Sequence, residues 1–286
     1  MLFRPSLGLS LLLALPALSL ASPYSQLVIF GDSLSDSGQF PDPFGPLDGI
    51  LPTDGTRMTN RVGPTYRDGR DEPFALVAPQ YLARRLGLAA LPSTPAWQDN
   101  DNPDGTNYAV SGYRTDEILA SIVEPDGSVV EGPLGLTRER DGYLVETPRV
   151  APDTLFLLNG GGNDIFQGRV VDAASASVAA ADLVDGVTAL RQAGARHIVV
   201  SDLPDVGLTP AGTAAGARAE WTSLSTAFND ALREQLAARH PSVILLNVRG
   251  LVGEILADPA RFGFDPTLAQ ADVCFNGYQC QMEPTW

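Results

Sequence analysis

The chain contains no lysine: its 19 basic residues are all arginines, against 34 aspartates and glutamates, for a formal net charge of −15 over 286 residues. Phosphate backbones are gripped by basic surface, so this acidic balance argues against a nucleic-acid partner. The missing lysine also excludes a Walker-type phosphate loop, whose lysine reaches the nucleotide phosphates. Histidine is scarce, with only His197 and His240, and so is cysteine, with only Cys274 and Cys280. Two cysteines with no histidine nearby do not complete a zinc shell, so no metal site is expected. The two cysteines close the stretch CFNGYQC, and in an oxidising compartment a local disulfide across its Asn-Gly turn is the plain reading.

Long apolar runs are lacking too, apart from the first. MLFRPSLGLSLLLALPALSLA carries a basic Arg4, then an apolar stretch broken by Pro16, then the small-x-small ending Ser19-Leu20-Ala21. That order is a signal peptide over residues 1–21, cut before Ser22. No later segment reads as long and apolar enough to cross a membrane. The expected product is one exported domain over residues 22–286, periplasmic, cell-surface or secreted.

What is present is an alternation of strand and helix character. Strands are expected at Leu27–Phe30, Asn107–Val110, Thr154–Leu158, Ile198–Ser201 and Val243–Val248. Helices are expected at Phe74–Leu86, with Leu76, Tyr81, Leu82 and Leu86 on one face, at Ala173–Ala193, and at Ala214–Arg239 with a Trp221, Leu224, Phe228, Leu232, Leu236 stripe. The PDGS and RDGY turns within residues 121–150 suggest a small hairpin. Strands separated by helices imply an α/β fold with a parallel sheet and helices on both faces.

Ligands of such sheets bind beyond the carboxyl ends of the strands. Three post-strand loops carry reactive or donor groups: Gly31-Asp32-Ser33, Ser111-Gly112, and the run Gly160-Gly161-Gly162-Asn163-Asp164. A hydroxyl, an unobstructed glycine N–H and an asparagine amide are what acyl transfer needs: a nucleophile and donors for the oxyanion. Each has a plainer reading when taken alone. Asp32 or Ser33 would cap a following helix, Gly112 would be a turn glycine, and Asp164 would cap a tight strand-to-helix turn. Their joint placement favours the site.

The sequence resembles the GDSL family of SGNH hydrolases, and within it the passenger domains of bacterial autotransporter esterases. The likeness runs through SPYSQLVIFGDSLSDSGQFPDP, TNRVGPTY, NYAVSGYRTD, RDGYLV, NGGGNDIFQGR, AGARHIVVSDLPDVGLTP and CFNGYQCQMEPT. It implies a three-layer α/β/α flavodoxin-like fold and hydrolysis of small-molecule or lipid carboxylic esters by a monomer without a cofactor. It implies Ser33 as nucleophile, with the N–H groups of Ser33 and Gly112 and the Asn163 amide as oxyanion donors.

The family's fourth block, an Asp-x-x-His near the carboxyl end, is not found. His197 and His240 are preceded three residues earlier by Gly194 and Ala237. Each histidine is expected at the amino edge of a strand, roughly 15 Å from Ser33, where a serine–base bond needs about 3 Å. His240 is expected to be structural, at a helix C-terminus that favours a partly positive ring. The chain therefore reads as an incomplete domain with little or no turnover, lacking a last element of the fold. The alternative is a catalytically dead module of the same fold that binds acyl or glycan ligands. Asp32, Arg114 and Asp205 are further candidates for the substrate pocket, though Arg114 is as well placed to pair with a local acid and Asp205 to cap its own turn.

Overall fold

Along the short apolar strands successive side chains point to opposite faces, and this alternation decides the architecture. A computed structural model describes residues 22–37, 39–41, 56–59, 63–67, 76–93, 105–131 and 137–263. The segment expected as a leader, 1–21, and the Cys274–Cys280 stretch lie outside the described residues. In chain order the strands are β1 (Gln26–Phe30), β2 (Phe40–Pro41), β3 (Thr56–Thr59), β4 (Gly63–Arg67), β5 (Ser128–Glu131), β6 (Thr137–Arg140), β7 (Thr154–Leu158), β8 (His197–Ser201) and β9 (Ile244–Leu246). The helices are α1 (Ala78–Leu86), α2 (Thr115–Val123), α3 (Tyr143–Glu146), α4 (Gly162–Phe166), α5 (Ala173–Gln192), α6 (Pro210–Ala214), α7 (Arg218–Arg239) and α8 (Val248–Ala257).

β1, β7, β8 and β9 form a parallel sheet in that order. Val28, Phe30, Phe156, Leu158, Ile198 and Val200 share one core with Ile118 and Ile122 of α2, Leu183 and Val187 of α5, and Phe228 and Leu232 of α7. The intervening Leu27, Ile29 and Leu155 pack instead with Ala83 of α1, Ala90 and Ala109. Both faces carry helices, as expected for an α/β sheet. On the α1 side, however, cover thins out towards β9, where Ile244 is 59% and Leu246 42% exposed. Antiparallel β2–β3–β4 and the β5–β6 hairpin stand apart from the main sheet.

Several boundaries differ from the sequence expectations. Asn107–Val110 is extended beside β1, with Tyr108 N donating to Ile29 O at 2.8 Å and Val110 N to Gly31 O at 3.1 Å, but it counts as an isolated bridge, not a strand. α1 begins at Ala78, because Pro79 suits a first turn better than an interior; its Tyr81 is 57% exposed and does not share the buried face. The stretch expected as one helix from Ala214 is two: α6 ends at Ala214, and Gly216, at φ 65°, turns the chain before α7 starts at Arg218. β9 stops at Leu246 because the Asn247 side chain caps α8 by accepting from Gly250 N at 2.9 Å. α2 and α8 were not foreseen. Contrary to expectation, one segment after the leader is long and apolar enough to cross a membrane by composition, namely α5, with a mean hydropathy of 1.3. Its Ala176, Ala180, Leu183, Val187 and Leu190 are buried in the core of the sheet.

Candidate active site

β1 delivers the chain to the carboxyl edge of the sheet, where residues 32–36 make a single helical turn: Ser35 N and Asp36 N both donate to Asp32 O at 3.0 Å. Among the described residues this turn does not lengthen into a helix, and it is Asp32, not Ser33, whose side chain caps it. The Asp32 carboxylate folds back on its own turn, accepting from Leu34 N at 3.0 Å, and also accepts from Asn159 Nδ2 at 2.9 Å. Asn159 in turn accepts from Ser35 Oγ at 2.5 Å, and its backbone N donates to Phe30 O at 3.1 Å. A Cβ on Gly31 would lie 2.1 Å from Asn159 Oδ1, so residue 31 is glycine because the Asn159 side chain occupies the space. Within this turn Ser33 is 8% exposed, and among the described residues neither its N–H nor its Oγ has a hydrogen-bond partner.

The loop 111–115 is fastened to that turn at one end. Ser111 N and Ser111 Oγ both donate to Asp36 Oδ2 at 2.9 Å, and Gln39 N donates to Asp36 Oδ1 at 2.9 Å. Asp36 is fully buried. Gly112 sits at φ 93°, a conformation in which a side chain is strained. Its carbonyl accepts from Gln167 Nε2 at 2.7 Å, while its N–H donates to nothing among the described residues.

At its other end the loop meets α4. Asn163 Nδ2 donates to Tyr113 O at 2.8 Å, which leaves its second amide hydrogen without a partner among the described residues. Asp164 is not a cap but a fully buried link: it accepts from Thr115 N at 3.0 Å and Thr115 Oγ1 at 2.9 Å, and pairs with Arg169 at 2.5 Å. Arg169 also pairs with Asp182 of α5 at 2.6 Å. Burial works against its charge, but the hydrogen bonds it donates to Asp164 and Asp182 more than restore it, so Arg169 stays cationic. The Tyr113 hydroxyl donates to Val129 O at 2.7 Å and accepts from Val129 N at 2.8 Å, which fixes β5 against the loop. Burial, first of all, pushes that phenol's pKa up, so it remains protonated.

The three loops that carry Ser33, Gly112 and Asn163 are thus tied together at one edge through bonds of neighbouring residues, Ser111 to Asp36, Asn163 to Tyr113 and Gln167 to Gly112. A cleft of about 510 Å³ opens beside Ser111, Gly112 and Tyr113, walled by Glu117, Glu124 and Val129. A smaller one of about 160 Å³ is lined by Asp32, Leu34, Asn159, Gly160, Leu203 and Pro204. A groove of about 550 Å³ lies away from this loop cluster, on the α1 face of β7–β9, where Ile244 and Leu246 are exposed. Arg114 is bound locally, donating to Asp116 at 3.1 and 3.2 Å and to Gln167 at 3.2 Å. Burial opposes the charge on Asp116, yet the Arg114 hydrogen bond and the nearby Arg169 hold its carboxyl below the usual range. Asp205 accepts from Gly207 N at 3.0 Å and Thr222 Oγ1 at 2.8 Å, and pairs with Arg249 at 3.4 Å. Among the described residues no three His, Cys, Asp or Glu side chains are grouped as a metal centre requires.

Both histidines lie far from Ser33. His197 opens β8 and aligns with Leu155, three residues below the Phe30–Leu158–Val200 level. That is about 10 Å along the strands and about 10 Å across two strand spacings. Its ring lies edge-on to Tyr24, with centroids 5.2 Å apart. His240 follows α7, and its Nε2 lies 2.8 Å from Thr188 Oγ1 of α5. Burial, then the charges of Arg239 and Arg191, lower its pKa, so the neutral ring is favoured despite the helix C-terminus. The expectation of a partly positive ring is corrected.

Residues 27–261 match the family model for GDSL-like lipase/acylhydrolase. The chain belongs to this family. Among curated GDSL relatives, Esterase EstA of Pseudomonas aeruginosa is 45% identical over 273 residues, covering 93% of this chain and 42% of its own. Esterase EstA of Pseudomonas putida matches to the same extent. The chain therefore spans less than half the length of these relatives. A solved phospholipase A1 from Streptomyces albidoflavus NA297 aligns over 79% of this chain and 80% of its own at 17% identity with a TM-score of 0.36, a likeness too weak to bear on the site. As a GDSL member the chain has the α/β fold expected from its alternating strands and helices.

Sequence reasoning missed Asp36, Asn159 and Gln167, which help hold the loops together. Two of them stood in plain view, Asp36 in GDSLSDSG and Asn159 in NGGGND, as polar residues at the end of apolar strands, where a buried hydrogen-bond role is common.

Proposed function

We propose that this chain is the hydrolase domain of an exported GDSL-type carboxylic ester hydrolase that works through Ser33. The observation that carries this reading is the set of donors that have no partner among the described residues, carried by three loops bonded to one another: Ser33 N–H, Gly112 N–H and the second Asn163 amide hydrogen. Ser33 Oγ attacks the ester carbonyl, the three donors stabilise the oxyanion, and collapse expels the alcohol to leave an acyl-serine that water hydrolyses. Asp32 holds the serine turn through Leu34 and Asn159, and Asp205 and Arg114, already engaged by neighbours, stand outside the chemistry.

In both half-reactions a proton passes to a base, and neither His197 nor His240 is positioned to take it. In serine proteases losing the histidine costs about 10⁶ in kcat, with residual catalysis of roughly 10³–10⁴ over water from the remaining donors. The 286-residue chain alone is accordingly a slow esterase. The same remote histidines favour a second reading, a module that retains the pocket and binds acyl or glycan ligands without turnover. Hydrolysis of p-nitrophenyl butyrate by the chain and by Ser33→Ala separates the two. A slow rate that disappears in Ser33→Ala supports the hydrolase; equal rates in both, with retained binding of a butyrate ester, support the module.

A further inference from the structure

Ser111 and Thr115 bracket Gly112, Tyr113 and Arg114, and each turns its backbone N–H and its hydroxyl to a buried aspartate, the Thr115 hydroxyl being shared with Asp182 at 3.1 Å. Ser111 binds Asp36 of the nucleophile turn through two bonds of 2.9 Å; Thr115 binds Asp164, the neighbour of Asn163, at 3.0 and 2.9 Å. Both aspartates are fully buried. A carboxylate accepts two or more such bonds at once, and bonds to a charged acceptor are stronger than neutral ones. The donor loop is therefore suspended between the serine on one side and the asparagine on the other. Gln167, whose Nε2 donates to Gly112 O, and Asn163, which donates to Tyr113 O, hold its middle.

We propose that Asp36 and Asp164 are positioning residues that set the register of the three oxyanion donors, Asp36 acting through Ser111 on Gly112 and Asp164 through Thr115 on the Asn163 side. Neither is offered as touching substrate. The role in catalysis rests on the hydrolase reading above; the mechanical claim stands without it. Asparagine at 36 makes the point, because its amide group must face either the Ser111 N–H or the Gln39 N–H, donor against donor, so one of the two bonds is lost in either orientation.

The test compares the wild-type chain with Asp36→Asn and with the milder Ser111→Ala, which keeps the N–H bond. Amide exchange of Ser111 should quicken by at least about tenfold in Asp36→Asn and by less in Ser111→Ala. The Gly112 cross-peak should move, while Val199 and Val200 of β8 keep their exchange rates. Ser33-dependent hydrolysis, taken as wild type minus Ser33→Ala with imidazole added as a diffusible base, should lose kcat in Asp36→Asn with KM unchanged. Unaltered exchange at Ser111, or faster exchange at β8 as well, overturns the proposal. Equal hydrolysis by wild type and Ser33→Ala refutes the hydrolase reading instead, and leaves the exchange result to judge Asp36.

Discussion

Replacing Gly31 by alanine should destabilise the protein through Asn159 and through nothing else. The new methyl would sit 2.1 Å from Asn159 Oδ1 and 2.8 Å from its Cγ, so the amide must leave. Leaving breaks its bond from Ser35 Oγ, 2.5 Å, and its bond to Asp32, 2.9 Å. A neutral buried hydrogen bond contributes about 0.5–1.5 kcal/mol and one to a charged group about 1.5–3, which together give a cost of about 2–4.5 kcal/mol. Because all three of the nearest obstructing atoms belong to Asn159, Asn159→Ala removes both the obstruction and the bonds. In that background the added cost of Gly31→Ala should fall to about 1 kcal/mol or less, since alanine also restricts the unfolded chain. Urea unfolding of the four proteins in this double-mutant cycle measures the coupling. An equal cost of Gly31→Ala in both backgrounds would refute the reasoning.

Three further outcomes follow from the same contacts. Arg169→Met strips the fully buried Asp164 and the largely buried Asp182 of their shared cation and should cost about 3 kcal/mol in urea unfolding; a loss below about 1 kcal/mol contradicts it. Tyr113→Phe leaves Val129 N–H and C=O without their hydroxyl partner and should cost about 1–3 kcal/mol; its signature is faster exchange at Val129, and unchanged exchange there contradicts it. His240 has a lowered folded pKa, so the unfolded chain binds the proton more readily: its stability contribution is whole above the ordinary value of 6.5 and is lost as pH falls through it. His240→Gln should therefore lose less Tm than wild type between about pH 7.5 and about pH 5.5.

The strands were legible because burial on two faces leaves a short uninterrupted apolar run, as in LVIF and TLFLL. The three site loops were legible because each follows such a run. Asn107–Val110 was over-read as a strand: its apolar pattern is right, but its bonds to β1 are too few for a ladder. α2 carries a local start signal, Asp116 and Glu117 in its first turn with Glu117 accepting from Arg114 N, but the Thr115 N–H is satisfied by Asp164, 49 residues away, and no local spacing announces that bond. The break before α7 depends on one glycine, Gly216, in an otherwise helix-favouring alanine stretch. Asp36 and Asn159 could be read as residues but not as struts, since their partners are fixed only when the sheet assembles.

The central claim is that Ser33 is the nucleophile, and the acyl group itself reports on it. Incubation with p-nitrophenyl butyrate, followed by mass analysis of the peptide containing GDSLSDSG, locates any butyryl adduct. With both histidines remote, deacylation is slow as well as acylation, so the account predicts a butyryl group accumulating on Ser33 and absent from Ser33→Ala. An adduct on another residue, or Ser33-independent hydrolysis with no adduct at Ser33, would contradict it.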